Sequence, residues 1–264
     1  MALLFQASAR LAFGLAVLLV PGFRPAWPLV LLVLLLLLSR LFLALEGRKL
    51  ASLGLALGRP WFRSLGAGLG IGAGVIGASA LLLWAAGGCR PAFNAGASPG
   101  AVAGGLLFLL VPGINEELTY RGYSFQRVLR RLGRWPALLL LSALFALDHR
   151  ANPNLAPGAT WLPLVNIGLA GLLLGLAYLR TGSLAMPIGI HLGWNWAQGP
   201  LLGFAVSGQD AAGLLLPRLQ PKPAWLTGGG FGLEGSVLCT IACLAACVLV
   251  ARARKAVCNQ ALAS

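Results

Sequence analysis

Apolar residues run along this chain in long blocks, and polar residues collect in the gaps. Eight apolar blocks stand out, at roughly 4–20, 28–45, 65–86, 101–125, 136–149, 161–179, 184–206 and 233–251. Runs of about 17 to 25 apolar residues are what the hydrocarbon core of a bilayer asks of a helix. The pattern therefore predicts an all-α fold, a polytopic membrane bundle of about eight transmembrane helices. It forms a single integral-membrane domain over 1–264, with a core at about 101–206. Between the second and third blocks, "EGRKLASLGLALGRPWFRS" (46–64) sets basic residues among leucines, which suits a helix lying in the membrane interface; a plain loop is the alternative. Residues 207–232, rich in Gly and Pro, form the longest outer loop.

Composition sharpens this. Of 264 residues, 58% are hydrophobic and 10% charged, and the mean hydropathy is +0.85. A soluble domain needs far more polar surface, and none of useful size is left between the blocks. The net charge of +14 raises nucleic acid as a partner, but the distribution argues against it. The basic residues sit in short loops, where they face anionic headgroups and set topology. Placing the N-terminus in the cytoplasm puts most of them inside, among them Arg48, Lys49, Arg59, Arg63, Arg127, Arg130, Arg131 and Arg134. Arg24, Arg90, Arg150, Arg218 and Lys222 fall outside. Both termini are thus predicted cytoplasmic. The first block carries one basic residue, Arg10, and no small-x-small cleavage pattern before Pro21, which predicts a retained first span. The compact Ala/Leu/Gly-rich spans suggest a bacterial inner membrane.

The cysteines imply no disulfide framework. Cys239, Cys243 and Cys247 recur on one helix face among apolar neighbours, as small residues at a helix contact do. Cys89 and Cys258 have no evident partner.

The chain holds six acidic residues and two histidines. A charged group at mid-membrane costs roughly 2.5 kcal/mol or more, so each one there is a candidate for function. Glu116 and Glu117 stand side by side after the run "AVAGGLLFLLV". Glu117 and Arg121 are four apart, acid first, the favourable order for an ion pair on one helix face. Glu116 points about 100° away and is left free for chemistry. Phe145 and His149 are four apart, as are His191 and Asn195. A histidine and an amide on adjacent turns can aim two donors at one oxygen. At about 1.5 Å per residue, Glu116, His149 and His191 lie roughly 16, 21 and 12 Å from their inner flanks, so groups from three helices can meet at one depth. Helix stapling by Glu117–Arg121, and interhelical hydrogen bonding by His191 and Asn195, are the structural alternatives. No G-x-S-x-G elbow is present, and Ser142, Ser183 and Cys89 have no evident partner set for a nucleophilic mechanism.

These residues resemble the CPBP intramembrane protease family, which includes the type II CAAX prenyl endopeptidases and Abi-like proteins. Its motifs EExxxR, FxxxH and Hxxx(N/D) occur in order as Glu116-Glu117…Arg121, Phe145…His149 and His191…Asn195. Asp148, an extra acid beside His149, departs from the pattern. The resemblance implies an intramembrane endopeptidase that cuts the C-terminal region of a membrane-associated protein. Glu116 would activate water, His149 would help hold it, and His191 and Asn195 would stabilise the oxyanion. Glu117 and Arg121 would orient the site, with Phe145 supporting it. The cofactor is one zinc ion on Glu116, His149 and His191, or none: HExxH is absent, and both mechanisms suit these residues. A sorting-type protease that processes C-terminal anchors is an alternative. So is a non-catalytic immunity or assembly protein or a transporter, although transport would favour paired broken helices in matching halves.

Overall fold

The computed structural model describes residues 1–19, 26–155 and 161–253. Cys258, and the loop residues Arg24, Arg254 and Lys255, lie outside them. The fold is an all-α membrane bundle. Its helices are α1 (Ala2–Leu19), α2 (Trp27–Ala44), α3 (Arg59–Ala85), α4 (Pro99–Glu117), α5 (Tyr123–Leu132), α6 (Arg134–Asp148), α7 (Leu162–Thr181), α8 (Ala185–Trp196), the short α9 (Ala224–Thr227) and α10 (Val237–Arg252).

Every predicted block contains helix, but the blocks differ in reach. Among the described residues, five stretches are long and apolar enough to cross a bilayer: α1, α2, α3, the α4–α5 run Pro99–Leu132, and α7. Helices α6 and α10 have 15 and 16 residues, short of the 17 or so that a span requires, and the 12 residues of α8 reach that length only with the five of the π turn Ala197–Leu201 that continues it. The last block starts late because 233–235 is a 3₁₀ turn, and α10 begins only at its Ser236 cap.

The expected interfacial helix over 46–64 is not formed. A single 3₁₀ turn, Leu50–Leu53, is followed by Gly54 in the left-handed region and by α3 from Arg59. Glycines at 54 and 58 and Pro60 break the helical path before an amphipathic face can develop. This α2–α3 connection is tied down by Glu46, which bonds Arg127 at 2.7 Å and accepts from the Tyr123 hydroxyl.

A small sheet is added to the helical plan. Strand β1 (Cys89–Phe93) pairs antiparallel with β2 (Leu215–Leu219), Cys89 opposite Leu219 and Phe93 opposite Leu215. It fastens the α3–α4 connection to the long Gly/Pro-rich loop after α8.

At the centre lies α8. Every residue from Leu184 to Trp194 is buried, so this helix is surrounded by protein on all sides. It crosses α3 through glycines on both partners. A Cβ added to Gly68 or Gly72 would collide with the carbonyl oxygens of Met186 or Ile190. One added to Gly189 or Gly193 would collide with those of Leu65 or Leu69. Small residues of this kind let helix backbones approach closely where lipid removes any hydrophobic drive. His191 stands midway between the two α8 glycines.

Candidate active site

Helix α4 starts from Ser98, whose hydroxyl caps the Ala101 amide at 3.0 Å. Pro112 lies inside the helix, and the regular turns end at Glu117. Leu118–Gly122 then forms a π-helical turn before α5 resumes. Such turns widen a helix locally and are common at functional sites. Asn115 fixes the approach by donating to the Pro28 carbonyl on α2 at 2.8 Å. The chain therefore presents Glu116 and Glu117 just before its own irregularity, a break that the continuous helix expected over 101–125 did not contain.

Glu117 is fully buried and joins two groups through one oxygen. Its Oε1 is 3.1 Å from Nη1 of Arg121 and 2.8 Å from Nδ1 of His191. Arg121, also buried, donates through Nη2 to the Gly171 carbonyl on α7 at 3.1 Å. Its guanidinium lies 4.5 Å from the centre of the Phe145 ring, a cation–π contact without competing water. The expected Glu117–Arg121 pair is present, and it reaches three further helices.

Phe145 connects that pair to the second histidine. Its ring is 4.5 Å from the His149 ring, and its carbonyl lies 2.7 Å from His149 Nδ1. A carbonyl only accepts, so Nδ1 carries a proton, and in the neutral ring Nε2 is bare. His149 itself forms the C-terminal cap of α6 and opens a 3₁₀ turn.

Glu116 lies between the imidazoles. Its Oε2 is 3.8 Å from His149 Nε2 and 3.8 Å from His191 Nε2. That oxygen is shielded from solvent and, among the described residues, has no hydrogen-bond partner. A separation of 3.8 Å is long for a hydrogen bond; catalytic contacts often tighten only around substrate. Asn195 does not bond to this trio. It lines the adjoining cavity together with His149, His191 and Phe145, whose apolar wall includes Ile190 and Trp194. The cavity offers about 40 Å³ to the centres of water molecules, room for a small number of waters. This pocket could not be read from sequence, because its wall is drawn from α6, α7, α8 and the segments that carry Ser207 and Glu234.

Asp148, the acid outside the family pattern, points away from the cavity contacts. It accepts from Arg10 of α1 at 2.8 Å and from the Tyr120 hydroxyl. Glu234 is the residue missed by sequence reasoning: nine-tenths buried, it lines the same cavity as the two histidines. Its only signal was an acid at the edge of an apolar block.

Glu116, His149 and His191 offer the donor atoms zinc prefers. Among the described residues, however, no three His, Cys, Asp or Glu side chains come together as a metal ion requires. The donors fit in kind and not in grouping.

A helical membrane bundle that sets a partly exposed carboxylate between two imidazoles, beside a cavity with room for water, has the groups that hydrolysis within a membrane would use. Residues 98–197 match the family of type II CAAX prenyl endopeptidases, Rce1-like. The match runs from the cap of α4 to just beyond α8 and contains all three motifs. It bears out the CPBP resemblance over the segment that carries it, and supports an intramembrane endopeptidase as the class of protein. No curated protein and no solved structure matches the chain.

Proposed function

We propose that the protein hydrolyses a peptide bond in the C-terminal region of a membrane-associated protein, with Glu116 as the base that activates water. The observation that carries this reading is Glu116 Oε2, buried, unpartnered and equally distant from two imidazole nitrogens. Water held there can give its proton to Glu116 while the bare Nε2 of His149 accepts its other hydrogen. Attack on a carbonyl in the adjoining cavity then moves charge onto the carbonyl oxygen. The Asn195 amide can donate to that oxygen in any protonation state. His191 can add a second donor when Nε2 is also protonated, since Nδ1 is already committed to Glu117. Collapse of the tetrahedral intermediate breaks the C–N bond, and the proton held by Glu116 passes to the leaving amine. Glu117 and Arg121 hold His191 and the Phe145–His149 unit in register.

The test is a comparison of membrane proteomes from cells carrying wild-type protein and the Glu116→Gln variant, which keeps shape and removes the base. A membrane protein shortened near its C-terminus only by the wild type supports the reading and gives the cleavage site. Identical proteomes, with both proteins at equal abundance, would overturn it.

A further inference from the structure

Glu234 is the buried acid that this mechanism leaves unused. It sits in the 3₁₀ turn before α10, outside the matched segment 98–197. Its carboxylate gathers donors from two other parts of the chain. Oε2 accepts from the Trp194 indole at 3.2 Å. Oε1 accepts from the Gln198 amide at 3.2 Å and from the backbone N–H of Ser207. Trp194 and Gln198 flank Asn195, and Ser207 lines the cavity with His149, His191 and Asn195. The turn that carries Glu234 is anchored in its own right. Asn166 of α7 donates to the Glu234 carbonyl at 2.7 Å and to the Ser236 carbonyl at 2.8 Å, and accepts from the Thr240 hydroxyl at 2.7 Å.

A carboxylate without a cation inside a bundle is costly. Here three N–H donors offset that cost, and all three belong to the segment that bounds the cavity. We infer that Glu234 is a positioning residue of the active site. By holding Trp194, Gln198 and Ser207 at once, it fixes the rotation of the last turns of α8 and keeps Asn195 turned into the cavity beside the histidines.

This rests on the proposed endopeptidase reading, and the experiment separates the two. Purified full-length protein is assayed on a fluorogenic peptide that spans the Glu116-dependent cleavage site. Glu234→Gln keeps the size but turns an NH2 group toward at least one of the three donors, so the set can no longer be satisfied. Its kcat should fall roughly tenfold to a hundredfold, the scale of a small misplacement of a catalytic group, with KM within about twofold. Trp194→Phe removes one donor while leaving two, and should lower kcat by a smaller factor. The double variant should be no slower than Glu234→Gln alone, because both act through one contact.

Wild-type kcat in Glu234→Gln, or fully multiplicative losses in the double variant, would overturn the inference while leaving the function standing. A kcat that falls only in step with the folded fraction, read from the thermal transition, overturns it too. Should Glu234→Gln fail to fold, Trp194→Phe decides: a wild-type kcat there overturns the inference. Wild-type protein with no Glu116-dependent cleavage overturns both readings.

Discussion

His191 Nδ1 lies 2.8 Å from Oε1 of Glu117, so the second acid of the pair is bound to an imidazole and to Arg121 through the same atom. Glu117→Ala would leave Arg121 charged and buried with only the Gly171 carbonyl and the Phe145 ring. Breaking a buried pair in this way costs about 3–5 kcal/mol. The expected outcome is a lower thermal midpoint in detergent together with loss of cleavage. Arg121→Lys should lose activity as well, since one ammonium cannot reach Glu117 and Gly171 while covering a ring face.

The glycine crossing gives a prediction with an internal control. Gly72→Val and Gly193→Val each push side-chain atoms into a facing backbone carbonyl that cannot yield. Both variants should fail to accumulate as folded protein, read by size-exclusion profile. Gly70→Ala and Gly74→Ala lie on the same helix with nothing within 4 Å of the added carbon, and should behave as wild type or gain slightly from helix propensity.

Asp148 should prove less important than its position beside His149 suggests. Its pair with Arg10 is substantially exposed, at 38% and 45% of the side-chain surfaces, and such pairs contribute about 0–1 kcal/mol. Arg10→Gln is expected to leave the thermal midpoint almost unchanged. Tyr120→Phe, which removes the hydroxyl partner of Asp148 on the π turn, should likewise leave the cleavage rate within about twofold and the protein folded.

Metal dependence can be settled on purified protein. If Glu116 takes the proton from water directly, exhaustive chelation leaves the cleavage rate within about twofold. A rate that collapses and returns with added zinc would assign the activation of water to the metal instead.

The three motifs were legible because charge in an apolar run is expensive and a spacing of four residues names a helix face. Arg121, Glu117, Phe145 and His149 could be paired on that basis alone. Helix contacts were far less legible. In the run around Leu35 and Leu37, the first is 1% exposed and the second 62%. Lipid and protein interior ask for the same residue here, so hydrophobic pattern carries no record of which side faces which neighbour. The α3–α8 crossing could not be read for the same reason: its glycines resemble the many others in the spans until the partner helix is known. Glu234 escaped because its role depends on Trp194, Gln198 and Ser207, which no local spacing connects to it. The π turn escaped because nothing in "LTYRG" distinguishes it from an ordinary helical stretch.

The contact of main chain with main chain at Gly68, Gly72, Gly189 and Gly193 also constrains how a polypeptide could get in. Main chain meets main chain at these four points, so α3 and α8 form one close-packed pair, and His191 is carried on it. On the proposed reading, a substrate strand would reach His191 past the elements that surround this pair, not between its two helices.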